Sequence, residues 1–170
     1  MTRLQLRIQH LGRDEQFPHE DDALGGALWS RLCSHLPRGV PRPVLLTFFA
    51  ESVQVTDLPP ILKSGMDVHR ACAAFASQEG AQALAVVGVM NRRRQDVALG
   101  QFAVAFIEWN DGRWWACTRP LDPLARPLEG SEDDVQRAVD GASKPGGLGA
   151  WFRRARYERL TLRIDSPTVN

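Results

Sequence analysis

Lysine is nearly missing from this 170-residue chain: Lys63 and Lys144 are the only two, and arginine carries the rest of the side-chain positive charge. A GC-rich coding sequence produces the same bias, so arginine preference alone does not point to phosphate recognition. An excess of one sign of charge is missing too. The formal net charge is +1, which argues against nucleic-acid binding through the overall field. No apolar run approaches the roughly 18 to 20 residues needed to span a bilayer, and the longest, residues 83–90, has the length of a strand. Near the start, Arg3, Arg7 and His10 interrupt the apolar residues where a secretory signal would have one continuous apolar block. A cytoplasmic protein with no membrane association is therefore expected. With 44% hydrophobic and 24% charged residues, the composition excludes a disordered chain and suffices for a core.

Cysteine is scarce. Cys33, Cys72 and Cys117 cannot all pair within the chain, and their wide spacing does not suggest a disulfide framework, so reduced and mostly buried thiols are expected. The nearest approach to a metal site is Cys33 with His35 and His69 with Cys72. His69 and Cys72, three apart on a helix, share a face and could supply half of a tetrahedral zinc site. Cys33 and His35, two apart, do not share a face, and both cysteines lie on apolar stripes. Core packing is the expectation, with no metal and no cofactor. Gly146-Gly147-Leu148-Gly149 lacks the Lys-Ser/Thr pair of a phosphate-binding loop and reads instead as part of a flexible loop over residues 141–149.

What the chain does have is periodicity. Leu4, Leu6 and Ile8 alternate with polar residues, as do Leu160, Leu162 and Ile164, which predicts two strands of one sheet with equivalent burial. Leu24, Leu28, Leu32 and Leu36 write a helix capped by Asp21 or Asp22, weakened by Gly25 and Gly26, and ended by Pro37 and Gly39. Residues 44–49 with Val53 and Val55 predict a hairpin. Residues 57–65 read as a turn or one short helical turn. Val68, Cys72, Phe75 and Ala76 predict a second helix with Gly80 at its C-terminal cap. Residues 83–90, 97–109 and 113–118 predict a three-stranded meander with polar residues 91–96 as one connection. Phe102, Val104 and Phe106 fall on one face of its middle strand and Ala103, Ala105 and Ile107 on the other, so both faces should be covered. Adjacent Trp114 and Trp115 must face opposite sides, leaving at least one exposed or covered by another element. Ser131 and Asp134 resemble a capping box opening a short helix through Val135, Ala138 and Val139.

These elements predict an α+β fold in one domain over residues 1–170: a mainly antiparallel sheet of about five to seven strands, including the meander over 83–118, packed with two main helices and one short one. The order helix, two strands, helix, three strands, helix resembles that of roadblock or longin-like dimerisation domains. That likeness is one of topology, carried by no residue motif, and it implies no function.

Chemistry is harder to find. Ser64, Asp67 and His69 gather at a helix start and allow a small hydrolase with its site near His69, but Ser64 or Asp67 serves equally as a cap. Glu51 and Asp57 read as solvated turn carboxylates. The most distinctive stretch is Trp151, Phe152, Arg153, Arg154, Arg156 and Tyr157, where aromatic and basic residues interleave. Such a stretch can anchor a protein interface, stack on bases, or pack its aromatics inward with its arginines solvated. The expectation is a non-enzymatic protein-interaction module, self-associating through this surface, with the acidic stretches at 14–22 and 129–134 as partners for its arginines. The alternative is a small nucleic-acid-binding protein using Arg92, Arg93 and Arg94 together with the arginines from Arg153 to Arg159.

Overall fold

The structure is a computed structural model that describes residues 8–14, 16–58, 67–94, 97–138 and 148–159, with backbone alone at 92–94, 97–99 and 138. Its centre is β5 (Val97–Trp109), whose alternation sets the architecture. Val104, Phe106 and Glu108 point to one side of the sheet and Ala103, Ala105, Ile107 and Trp109 to the other, and all are buried. β4 (Ala83–Arg94) and β6 (Trp114–Leu121) flank it as the expected meander. β1 (Ile8–Gly12), β2 (Val44–Phe48), β3 (Ser52–Asp57) and β7 (Asp134–Ala138) complete a seven-stranded antiparallel sheet in the order β1-β3-β2-β4-β5-β6-β7.

Helices cover both faces, giving an α+β fold. On one side lies α1 (Asp21–His35), whose Leu24, Leu28 and Leu32 are almost fully buried. Each such leucine contributes about 1.5–3 kcal/mol through apolar burial. Gly25 allows close approach rather than merely weakening the helix: a Cβ there would lie 2.3 Å from the Trp115 indole. On the other side α2 (Val68–Ala76) packs against α3 (Trp151–Tyr157). Trp114 enters this second core and Trp115 the first, so neither of the adjacent tryptophans is exposed.

Several boundaries differ from expectation. Glu20, not Asp21 or Asp22, caps α1, accepting from the N–H groups of Asp22 (3.3 Å) and Ala23 (3.0 Å). Ser77 rather than Gly80 is the C-cap of α2. Residues 91–94 are not a connection but the end of β4, because ladder hydrogen bonds use the backbone and tolerate polar side chains. A bulge between Arg92 and Arg93 is accommodated opposite Gly100, at φ 107°.

The helix expected from Ser131 to Val139 is instead strand β7, with Val139 outside the described residues. β6 offers it an open edge, and Ser131 spends its hydroxyl on the Leu128 carbonyl rather than on a helix start. With a strand in place of that helix, the element order departs from the dimerisation-domain analogy. Of the terminal strands, Ile8 opens β1 while residues 4–7 and 160–164 lie outside the described residues, as do 59–66 and most of the 141–149 loop.

Candidate functional site

α3 carries no capping side chain of its own, and Ala150 stands at its N-cap in the left-handed conformation, φ 57°. The cap comes from the sheet. Glu108, 1% exposed, accepts hydrogen bonds from the backbone N–H groups of Ala150 (2.5 Å), Trp151 (2.8 Å) and Phe152 (3.2 Å). A carboxylate in this position satisfies the donors that a helix start leaves open, and its charge is favoured by the positive end of the peptide dipoles. Trp151 adds an edge-to-face contact with Phe106 at 5.2 Å, and its indole N–H donates to His69 Nδ1 at 3.3 Å. Phe152 and Ala155 are buried in the same core.

The aromatic and basic segment singled out in the sequence therefore divides. Trp151 and Phe152 are core, because a seven-residue helix docked on a sheet has to bury its apolar side; they are not surface anchors. Arg154 is half-buried and paired with Glu158 at 2.7 Å. Arg153, Arg156 and Tyr157 face outward, and Tyr157 is 89% exposed. Arg156 reaches back to the Asn110 carbonyl, at 3.3 Å.

Three of the acidic residues expected to meet these arginines are engaged elsewhere, beside α1 on the opposite face of the sheet. Asp21 pairs with Arg113 at 2.5 Å, Asp22 pairs with Arg137, and Asp133 accepts from Arg119 (3.5 Å) and from the Trp29 indole (3.0 Å). The first two of these pairs line a cleft of about 500 Å³ between the start of α1 and β6. A second cleft, of about 570 Å³, opens beside Trp29, Cys33 and Leu36, where Arg119 and Arg126 are already bound to Asp133 and Asp122.

Nor are the two arginine groups of the nucleic-acid reading brought together. Arg92, Arg93 and Arg94 end β4, whereas α3 docks beside Glu108, opposite Leu84 near the other end of that twelve-residue strand, roughly 30 Å away along an extended chain. At the hydrolase candidate, Asp67 caps α2 through the Arg70 N–H at 2.9 Å, a bond that holds its carboxyl below the usual range, and Ser64 lies outside the described residues. His69 Nδ1 is occupied by Trp151. Cys72, one turn further along α2, is buried; that burial, and then the charge of Glu108, raise its thiol far above the range of a nucleophile. Cys117 is likewise pushed up, to about 12, by burial and the charge of Asp133. Cys33 and Cys72 belong to cores on opposite faces of the sheet, so the zinc pairing of the two helices cannot form. Among the described residues no group of three or more His, Cys, Asp or Glu converges on a metal position, and no helix is long and apolar enough to cross a membrane.

The residue that organises the site, Glu108, was not among the candidates from sequence. Its signal was present: period two from Phe102, Val104 and Phe106 places an acid on a core-facing position, where it needs donors. Compared with known protein families, curated proteins and solved structures, the chain matches none.

Proposed function

We propose that this protein is a non-enzymatic protein-interaction module that self-associates, and that the outer face of α3 is the surface it offers to a protein partner. The observation that supports this reading is Tyr157, an 89% exposed aromatic residue between outward arginines on a helix pinned from beneath by Glu108. Rigid aromatic and arginine side chains are the residues that most often dominate binding energy, because they offer area and directed hydrogen bonds at low entropic cost. The matching partner surface is acidic and contains an apolar pocket for the ring. Because Asp21, Asp133 and Asp22 are already engaged by Arg113, Arg119 and Arg137, the reading assigns the partner's carboxylates to a different protein.

The test compares the wild-type chain with an Arg153→Glu/Arg156→Glu/Tyr157→Ala variant. Proteins retained by the wild type at low salt are purified and titrated against both. The variant should bind about tenfold more weakly or worse, with the difference shrinking at high salt as the attraction is screened. Unchanged affinity, or retained material that disappears on nuclease treatment, refutes the reading.

A further inference from the structure

The described sheet ends at β7, and the side chains of Asp134, Val135, Gln136 and Arg137 are all exposed. Among the described residues no strand pairs with its outer margin. An open edge presents unpaired N–H and C=O groups, and proteins usually blunt such edges with lysine, proline, a bulge or a covering element. β7 is short and has no lysine or proline, its two charged residues, Asp134 and Arg137, are of opposite sign, and α1 packs over β4, β5 and β6 rather than beyond it.

We propose that β7 pairs with β7 of a second copy of this chain, antiparallel about a two-fold axis through Val135. The inference rests on the self-association part of the reading above and locates it away from α3. In an antiparallel pair, residues directly opposite one another share a face. With the axis at Val135, the two valines meet at the centre and Asp134 meets Gln136 of the second copy; Asp133 comes opposite Arg137 of the second copy, each of them also holding a partner in its own chain, Arg119 and Asp22. Each polar pairing occurs twice. The Asp–Gln combination already forms within one chain, where Gln136 Nε2 donates to Asp134 Oδ2 at 2.8 Å. Moving the axis to Gln136 would set Val135 against Arg137 and Asp134 against Ala138, with no complementarity, so side-chain chemistry selects the register. Val135, 49% exposed, is the apolar contact that the pairing covers. A five-residue edge buries less than the roughly 800 Å² per partner of a standard interface, so the dimer is concentration-dependent.

Sedimentation equilibrium of the full chain over a concentration series tests this. The wild type should dimerise, and Val135→Lys, which sets like charges on the axis, should raise the dissociation constant by about tenfold or more while leaving the circular dichroism unchanged. The outer-face α3 variant should keep the wild-type mass. Under mild oxidation Val135→Cys should give a covalent dimer absent from the wild type. Arg137→Cys should not, its two copies lying four residues apart along the strands, roughly 13 Å. Cross-linking through position 137 alone, or a dimer unaffected by Val135→Lys, overturns the proposal. If the α3 variant alone abolishes the dimer, self-association stands and the edge fails. A wild-type monomer at every concentration overturns both, and the α3 titration then decides the partner reading by itself.

Discussion

A carboxylate buried in a sheet is costly unless its oxygens are occupied, and Glu108 meets that condition by receiving the first N–H groups of α3. One residue therefore couples β5 to a helix more than forty positions away in the chain. Glu108→Ala leaves three backbone donors without this acceptor and should destabilise the protein by about 3 kcal/mol or more. Glu108→Gln keeps one acceptor but turns the other oxygen into a donor facing N–H groups, so an intermediate loss of about 2 kcal/mol is expected. Urea unfolding monitored by tryptophan fluorescence measures both, and equal stability of all three proteins would remove Glu108 from its capping role. Alternation along β5 made its inward position legible; its partners were not, because they lie at a distance in sequence that no local period reports.

At the scale of the element, α1 shows how one sequence feature carries two meanings. Gly25 and Gly26 are adjacent and equally poor helix formers, yet only Gly25 faces the sheet, with the Trp115 ring where a side chain would stand. Gly25→Ala should therefore cost about 1–3 kcal/mol through overpacking. Gly26→Ala, on an exposed turn with nothing within 4 Å of the added carbon, should stabilise by up to about 1 kcal/mol through helix propensity. Thermal midpoints of the two variants should move in opposite directions. Strand β7 was misread from the same local viewpoint: Ser131 and Asp134 have the spacing of a capping box, but the open edge of β6 offers five consecutive residues a ladder, and pairing overrides a weak cap.

On the scale of the whole molecule, one sheet separates two cores and belongs to both. Damage on either side should then lower the stability of the entire structure. Leu28→Ala beneath α1 and Phe75→Ala beneath α2 should each cost about 2–5 kcal/mol and shift one common transition, coincident by far-ultraviolet circular dichroism and fluorescence. Two separated transitions would show that the faces unfold independently. The meander, the two longer helices and the two-sided burial of β5 were determined by the amino-acid sequence alone, because hydrophobic period is a local property that survives without knowledge of neighbours. The fate of Trp151 to Tyr157, the capping of α3 by Glu108, the separation of Arg92 to Arg94 from the α3 arginines, and the open edge of β7 were decided only by the tertiary structure. Each depends on which distant segments pair, and pairing follows from the sheet order rather than from any stretch of sequence read by itself.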